Sequence, residues 1–249
     1  MAWISLERLI PYRYTQRSVF TEHLTIRMAI PMNTRPSSTT SVVPIYVRQI
    51  GWLALLVLAL VIGGWSLRYA LPRPPDVPPL ESFKAEHLAF IIHAVTASIA
   101  LLLGPWQLLR VLRQHRPLLH KWVGRAYVLV VAIAWLASVP IAMRAHTGGA
   151  AVAGFLSLGF AWLCCTAQGL RAALRRQFES HREWMLRSYS LTAAGITLRI
   201  YLGVVSAAHW QVNEVYAAIA WLCWVPNIAS AEILIRATLP VTAGGRKRR

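Results

Sequence analysis

Two stretches of the chain place the same four chemically capable side chains ahead of an apolar run. They are RPLLHKWVGRAY at residues 116–127 and SHREWMLRSY at residues 180–189, each with a histidine, a tryptophan, an arginine and a tyrosine. A neutral imidazole can ligate a metal through either ring nitrogen. Two histidines from different helices at one depth are the donor set of a bis-histidine b-type haem. On that reading His120 and His181 ligate the iron, Tyr127 and Trp184 flank the macrocycle together with Trp122 and Tyr189, and Arg125 or Arg187 pairs with its propionates. The rival reading needs no cofactor, because Trp, Tyr, Arg and His also anchor helix ends at a membrane interface. Of the other histidines, His23 and His115 read as solvated, and His87, His146 and His209 lie near span ends. His93 sits about two turns inside an apolar run and is a weaker cofactor candidate, with His146 as its nearest partner.

The elements that must position these residues are membrane helices. Hydrophobic residues make up 56% of the 249, charged residues 14%, and there are 11 tryptophans, at a mean hydropathy of +0.47. A span needs roughly 20 mostly apolar residues. Six segments qualify, at about 48–69, 87–109, 122–143, 149–170, 184–207 and 215–235, the fifth interrupted by Arg199. The expected fold is therefore all-α and polytopic. Residues 48–238 form the membrane domain, spans 2–5 a four-helix core, and spans 1 and 6 pack outside it. Residues 1–47 read as a flexible cytoplasmic segment, with Met32 as an alternative start, and residues 239–249 as a basic tail.

The net charge of +17 comes from 26 Lys and Arg against 9 Asp and Glu. Counted with the span ends they adjoin, 21 of the 26 fall at the N-terminus, the two connections 2–3 and 4–5, and the C-terminus; four fall in the alternate connections. The positive-inside rule then predicts a bacterial inner-membrane protein with both termini cytoplasmic. It also accounts for the basic excess without nucleic acid, leaving the lipid bilayer as the partner. The connection LPRPPDVPPLESF at 71–83 reads as extended. Cys164, Cys165 and Cys223 lie in apolar segments and read as small buried hydrophobes.

The two basic connections share a register. Gln107 and His120 are 13 residues apart, as are Gln168 and His181, and the offset between the sets is 61. Spans 2–3 and 4–5 therefore read as parallel repeats of a helical hairpin. His93, Thr96, Ala100, Gly104 and Gln107 form one face of span 2, and His181, Trp184, Ser188, Thr192, Gly195 and Arg199 one face of span 5. Glu214 is the expected partner of Arg199, and Glu232 of Arg125 or Arg187. The predicted polar cluster comprises His120, Arg125, Tyr127, His181, Arg187, Asn227 and Glu232.

Three functions compete at this stage. One is electron transfer through a b-type haem, with a quinone or another redox partner. Another is a small transporter or proton-coupled permease using Arg199, His93 and Glu232. The last is a membrane scaffold without turnover. G-x-S-x-G, G-x-G-x-x-G and G-x-x-x-x-G-K-[ST] elements do not occur, so nothing points to hydrolase, dinucleotide or P-loop chemistry.

At these motifs the chain resembles a family of bacterial predicted membrane proteins, the domain of unknown function numbered 2306, from about Phe90 to Glu232. The family pattern is met by His93 followed by Gly104-Pro105-Trp106-Gln107, then by His120-Lys121-Trp122-Val123-Gly124-Arg125-Ala126-Tyr127, where Lys121 replaces the usual arginine. It continues in His181, Trp184, Met185, Arg187 and Ser188, then Leu198-Arg199, and ends in Trp221, Trp224, Pro226, Asn227 and Glu232. The resemblance implies a polytopic membrane protein and supplies no activity. A looser similarity, to six-helix cytochrome b561-type proteins with histidine-ligated haem, extends to fold and ligand type only.

Overall fold

Hydrocarbon offers no hydrogen-bonding partner to a backbone amide, so an apolar run in a bilayer is driven into helix, where each amide is satisfied within its own segment. The computed structural model describes residues 45–71, 87–145 and 147–238. The segment through residue 44, the proline-rich connection at 72–86, His146 and the tail at 239–249 lie outside the described residues. Among the described residues there is no strand. The helices are α1 (Ile45–Leu67), extended by a 3-10 turn at Arg68–Ala70, α2 (His87–Gln107), α3 (Arg110–His115), α4 (Pro117–Met143) and α5 (Gly149–Leu174). They continue with α6 (Phe178–Thr192), α7 (Ala194–Ala207), α8 (Val212–Leu222) and α9 (Val225–Thr238).

Six helical stretches are long and apolar enough to cross a membrane. α1, α2, α4 and α5 are spans 1–4, α6 with α7 is span 5, and α8 with α9 is span 6. Spans 2–5 pack on one another through Ala100, Leu101, Tyr127, Val131, Trp162 and Tyr189, while span 1 lies on span 2, and span 6 lies against spans 4 and 5. Leu53, Val57, Leu129, Leu136, Phe160 and Ile233 point outward. In a soluble protein such a surface would drive association; here it is the lipid-facing surface.

Gly104 and Pro105 explain how span 2 meets span 5. Proline lacks an N–H, so Pro105 leaves the carbonyl of Leu101, four residues earlier, without its helical donor. The hydroxyl of Tyr189 supplies the missing bond at 3.1 Å. Its ring reaches that carbonyl by crossing Gly104, where an added Cβ would fall 1.8 Å from Tyr189 Cε2. The carbonyl of Pro105, at the end of α2, is taken by Trp52 Nε1 of span 1 at 3.0 Å. One Gly-Pro pair thus docks two neighbouring spans.

Spans 5 and 6 are each broken once, a feature not expected from hydropathy. The break at Cys223–Trp224 precedes Pro226, which cannot continue a helix inward but fits its first turn. The break at Ala193 has no proline. There Thr192 Oγ1 bonds back to the Ser188 carbonyl at 3.0 Å, a contact that bends helices, and Gly195 follows. Asn227 joins the two breaks. Its amide nitrogen donates to the carbonyls of Ser190 (3.3 Å) and Cys223 (3.1 Å) and to Thr197 Oγ1 (3.0 Å).

Gly104→Ala is expected to lower the thermal midpoint in detergent, since overpacking a tight core costs about 1–3 kcal/mol. The same change in a Tyr189→Ala background should cost little, because the ring it meets is gone. An equal loss in both backgrounds would contradict the Gly104–Tyr189 docking.

Candidate functional site

The basic connections 2–3 and 4–5 put the N-terminal ends of α4 and α6 on one face of the bundle, here the basic face. His120 lies in the first turn of α4 and His181 in the first turn of α6, and the two imidazoles are close enough for their charges to interact, with Arg113 nearby. The sequence-paired histidines thus stand at the same end of the bundle, in the first turns of two core helices.

Their surroundings differ. His181 Nδ1 is 2.8 Å from the carbonyl of Gly169. A carbonyl can only accept, so in the neutral ring Nδ1 carries the hydrogen and Nε2 keeps its lone pair. The contact requires α6 to approach α5 closely, which Gly169 permits: a Cβ there would fall 2.6 Å from Met185 Sδ. In the repeat register the counterpart of Gly169 is Leu108. Helix α2 ends at Gln107 after Pro105, so the backbone no longer follows the path that α5 takes through Gly169. Among the described residues His120 Nδ1 is left buried without a hydrogen-bond partner, and so is Gln107 Nε2. Gln107 also faces Gly124, one turn beyond His120.

Immediately inside the histidines lies a buried hydroxyl network. Tyr127 OH contacts Ser188 Oγ (2.9 Å) and Thr192 Oγ1 (2.7 Å), Thr166 Oγ1 contacts Ser188 Oγ (2.7 Å), and Trp162 Nε1 donates to Thr192 Oγ1 (2.9 Å). Tyr127 and Thr166 are 1% exposed and Ser188 0%, so no solvent competes for these bonds. They tie spans 3, 4 and 5 together. Tyr127 and Ser188 are 61 apart, the offset that also relates His120 to His181, so at the level of the hydroxyl network residues in equivalent repeat positions meet each other. Two-fold-related hairpins require such self-contacts along their axis.

The remaining sequence candidates divide. Arg187 donates through Nε and through Nη2 (3.1 Å) to Glu232, lies 3.8 Å from Glu183, and stacks over the Trp184 ring at 4.7 Å. Planar guanidinium and carboxylate meet in two parallel bonds, the strongest form of such a pair. Asn227 binds the helix breaks instead of joining the histidines. Arg125 is exposed and lies 4.9 Å over the ring of Trp122, on the outside of the bundle. His93 stands apart: its Nδ1 is 2.9 Å from the Ala134 carbonyl, and its charged neighbour is Arg199. The expected Arg199–Glu214 pair is absent among the described residues. Arg199 instead donates to Ser66 Oγ (2.7 Å) and the Gly195 carbonyl (2.9 Å), because span 1 packs beside span 5 and offers a hydroxyl within reach.

Sequence reasoning missed Trp162 and Thr166. Their spacing of four on span 4 was the available signal, yet nothing in the chain says that this face meets Ser188. It also missed a cavity of about 290 Å³ beside Trp184, lined by Gln168, Arg171, Arg175, Gln177 and Ser180.

Tyr127→Phe should keep the packing and lose two interhelical bonds. At about 0.6 kcal/mol each the destabilisation is about 1 kcal/mol, read as a small drop in thermal midpoint. A stability unchanged from the parent would contradict the network's role in joining spans 3 and 5.

No curated protein and no solved structure matches this chain. A family model does match, over residues 90–235, spanning the histidines, the Gly-Pro pair, the hydroxyl network and the Arg187–Glu232 pair. That match covers more than half of the chain, which belongs to the family described as Predicted membrane protein (DUF2306).

Proposed function

We propose that this membrane protein binds a b-type haem between His120 and His181 and carries electrons in the bilayer. The observation that carries the reading is that His120 and His181 stand in the first turns of α4 and α6, within range of each other's charge, with His181 fixed by its Nδ1–H on a backbone carbonyl. That carbonyl contact is how proteins commonly orient a ligating histidine, leaving Nε2 free for the metal. The buried, unpartnered Nδ1 of His120 and Nε2 of Gln107 mark the same place as one where polar atoms lack a partner. The donor chemistry fits an iron held by two neutral nitrogens. When bound, a haem supplies one-electron chemistry at a potential set by its axial ligands and burial.

The chain's own residues would do the holding. His120 and His181 would supply the ligating nitrogens, Gly169 keeps the His181 ring in place, and Tyr127 and Trp184 lie one to two turns further along their helices. Arg187 is engaged by Glu232 and Arg125 faces outward, so Arg113, Arg171 and Arg175 are the cations better placed for propionates. The basic-loop asymmetry supports a cytoplasmic site, both termini cytoplasmic and a bacterial inner membrane. A quinone or a soluble redox partner would exchange the electron.

The test is the visible spectrum of protein purified in detergent from haem-replete cells. The expected result is a Soret band that shifts on dithionite reduction and is lost in His120→Ala and in His181→Ala, while His209→Ala keeps it. A colourless preparation of folded protein would sink the reading.

One observation favours a second reading, a small proton-coupled permease. Spans 5 and 6 are interrupted side by side, and Asn227 bridges the breaks; paired broken helices at one depth commonly surround transporter sites. Cysteines placed at Thr96, Ala100, Thr192 and Gly195 should then react with a membrane-impermeant thiol reagent, and a failure of all four to label would count against transport.

A further inference from the structure

On the face opposite the basic loops, spans 1 and 5 frame a groove of about 540 Å³ lined by Val61, Ile62, Trp65, Ser66, Tyr69 and Arg199, together with Ile200. Arg199 lies eight residues from the end of α7 at Ala207, about 12 Å at 1.5 Å per residue. A cation at such a depth is costly unless something compensates its charge. Nothing charged in the described protein does. Its contacts are the Gly195 carbonyl and the hydroxyl of Ser66, which is 1% exposed and spends its own hydrogen on the Ile62 carbonyl at 2.7 Å. Ser66 therefore fixes the guanidinium without neutralising it, and Arg199 has donors to spare.

The groove is graded in polarity along the membrane normal. Span 1 and span 5 run in the same direction, from the basic face outward. Val61 and Ile62 thus lie deeper than Trp65, Ser66 and Tyr69, and the cation sits at the shallower, polar end. A second cation stands there: Arg68 lies 3.8 Å over the Trp65 ring and 5.6 Å from the Tyr69 ring, with its Nε buried and unpartnered. Two guanidiniums toward the shallower end of the groove, aromatic rings beside them and aliphatic walls deeper in are complementary to one kind of molecule. That molecule has an anionic head and a hydrocarbon tail, entering sideways from the leaflet.

From this geometry we infer that the groove between spans 1 and 5 is a binding site for an anionic bilayer lipid, its headgroup phosphate on Arg199 and its acyl chain along Val61, Ile62 and Ile200. The site is separate from the histidine pair, and it stands whether or not haem binds there.

Native mass spectrometry of the full chain, delipidated and then offered equal amounts of phosphatidylglycerol and phosphatidylethanolamine, tests it. The parent should retain phosphatidylglycerol in preference. Arg199→Gln should lower that retention about tenfold, the loss expected for one charge-assisted hydrogen bond of about 1.5 kcal/mol, and Arg199→Lys should keep most of it. Ile200→Trp, which fills the groove and leaves the arginine in place, should also lower it, and so separates a built groove from mere attraction to a charged surface. The haem spectrum should be unaltered in all three variants. Retention by Arg199→Gln or by Ile200→Trp equal to the parent's would overturn the site and identify the lipid as annular. Should Arg199→Gln fail to fold, Ile200→Trp and Arg199→Lys decide the matter alone.

Discussion

A carbonyl freed from its helix inside a bilayer must find a donor within the protein, and this constraint organises the bundle. Pro105 frees the Leu101 carbonyl, and Tyr189 reaches across Gly104 to satisfy it. Fixing Tyr189 fixes its neighbour Ser188, which then meets Tyr127 and Thr166. Two turns earlier on the same helix, His181 is held to Gly169. The placement of the His181 helix is thus tied to one proline on another span.

Lipid tails are as apolar as leucine, so burial of hydrocarbon contributes little to helix association in a membrane. Close approach and polar contacts between helices must supply it. Each interhelical hydrogen bond is worth only about 0.6 kcal/mol, which makes the number of ties more important than any single one. The hydroxyl network, the Arg187–Glu232 pair and the Asn227 bridge supply them on different pairs of spans. They also explain why the two broken helices hold together: Asn227 takes carbonyls on both sides of the gap between spans 5 and 6.

Much of the fold was legible because hydropathy over some twenty residues is a strong signal. The six spans follow from run lengths, and the packing of spans 2–5 as a core with 1 and 6 outside follows from the repeated hairpin. The register that joins Tyr127 to Ser188 was legible too, through the matched distances of His120 from Gln107 and of His181 from Gln168. What the sequence concealed was of another kind. The break at Ala193 arises from a threonine side chain turning back on its own helix, a choice that depends on tertiary contacts. Arg199 was assigned to Glu214 by depth alone, whereas Ser66 of span 1 was nearer in the packed bundle. The partner of a polar residue in a membrane is set by which spans adjoin, and periodicity along one helix carries no record of that. The unequal surroundings of the two histidines were likewise hidden, since they depend on where α2 stops.

This inequality gives the proposed site its character. His181 is oriented by the backbone, and the buried Nδ1 of His120 has no hydrogen-bond partner among the described residues. The two rings would therefore hold the group unequally, one fixed and one free to turn. Low-temperature electron paramagnetic resonance of the oxidised protein reads this coordination directly. The expected result is the low-spin ferric signal of two imidazole ligands in the parent, lost together with the haem when either histidine is replaced by alanine. A high-spin signal in the parent, or a low-spin one that survives both replacements, would contradict it.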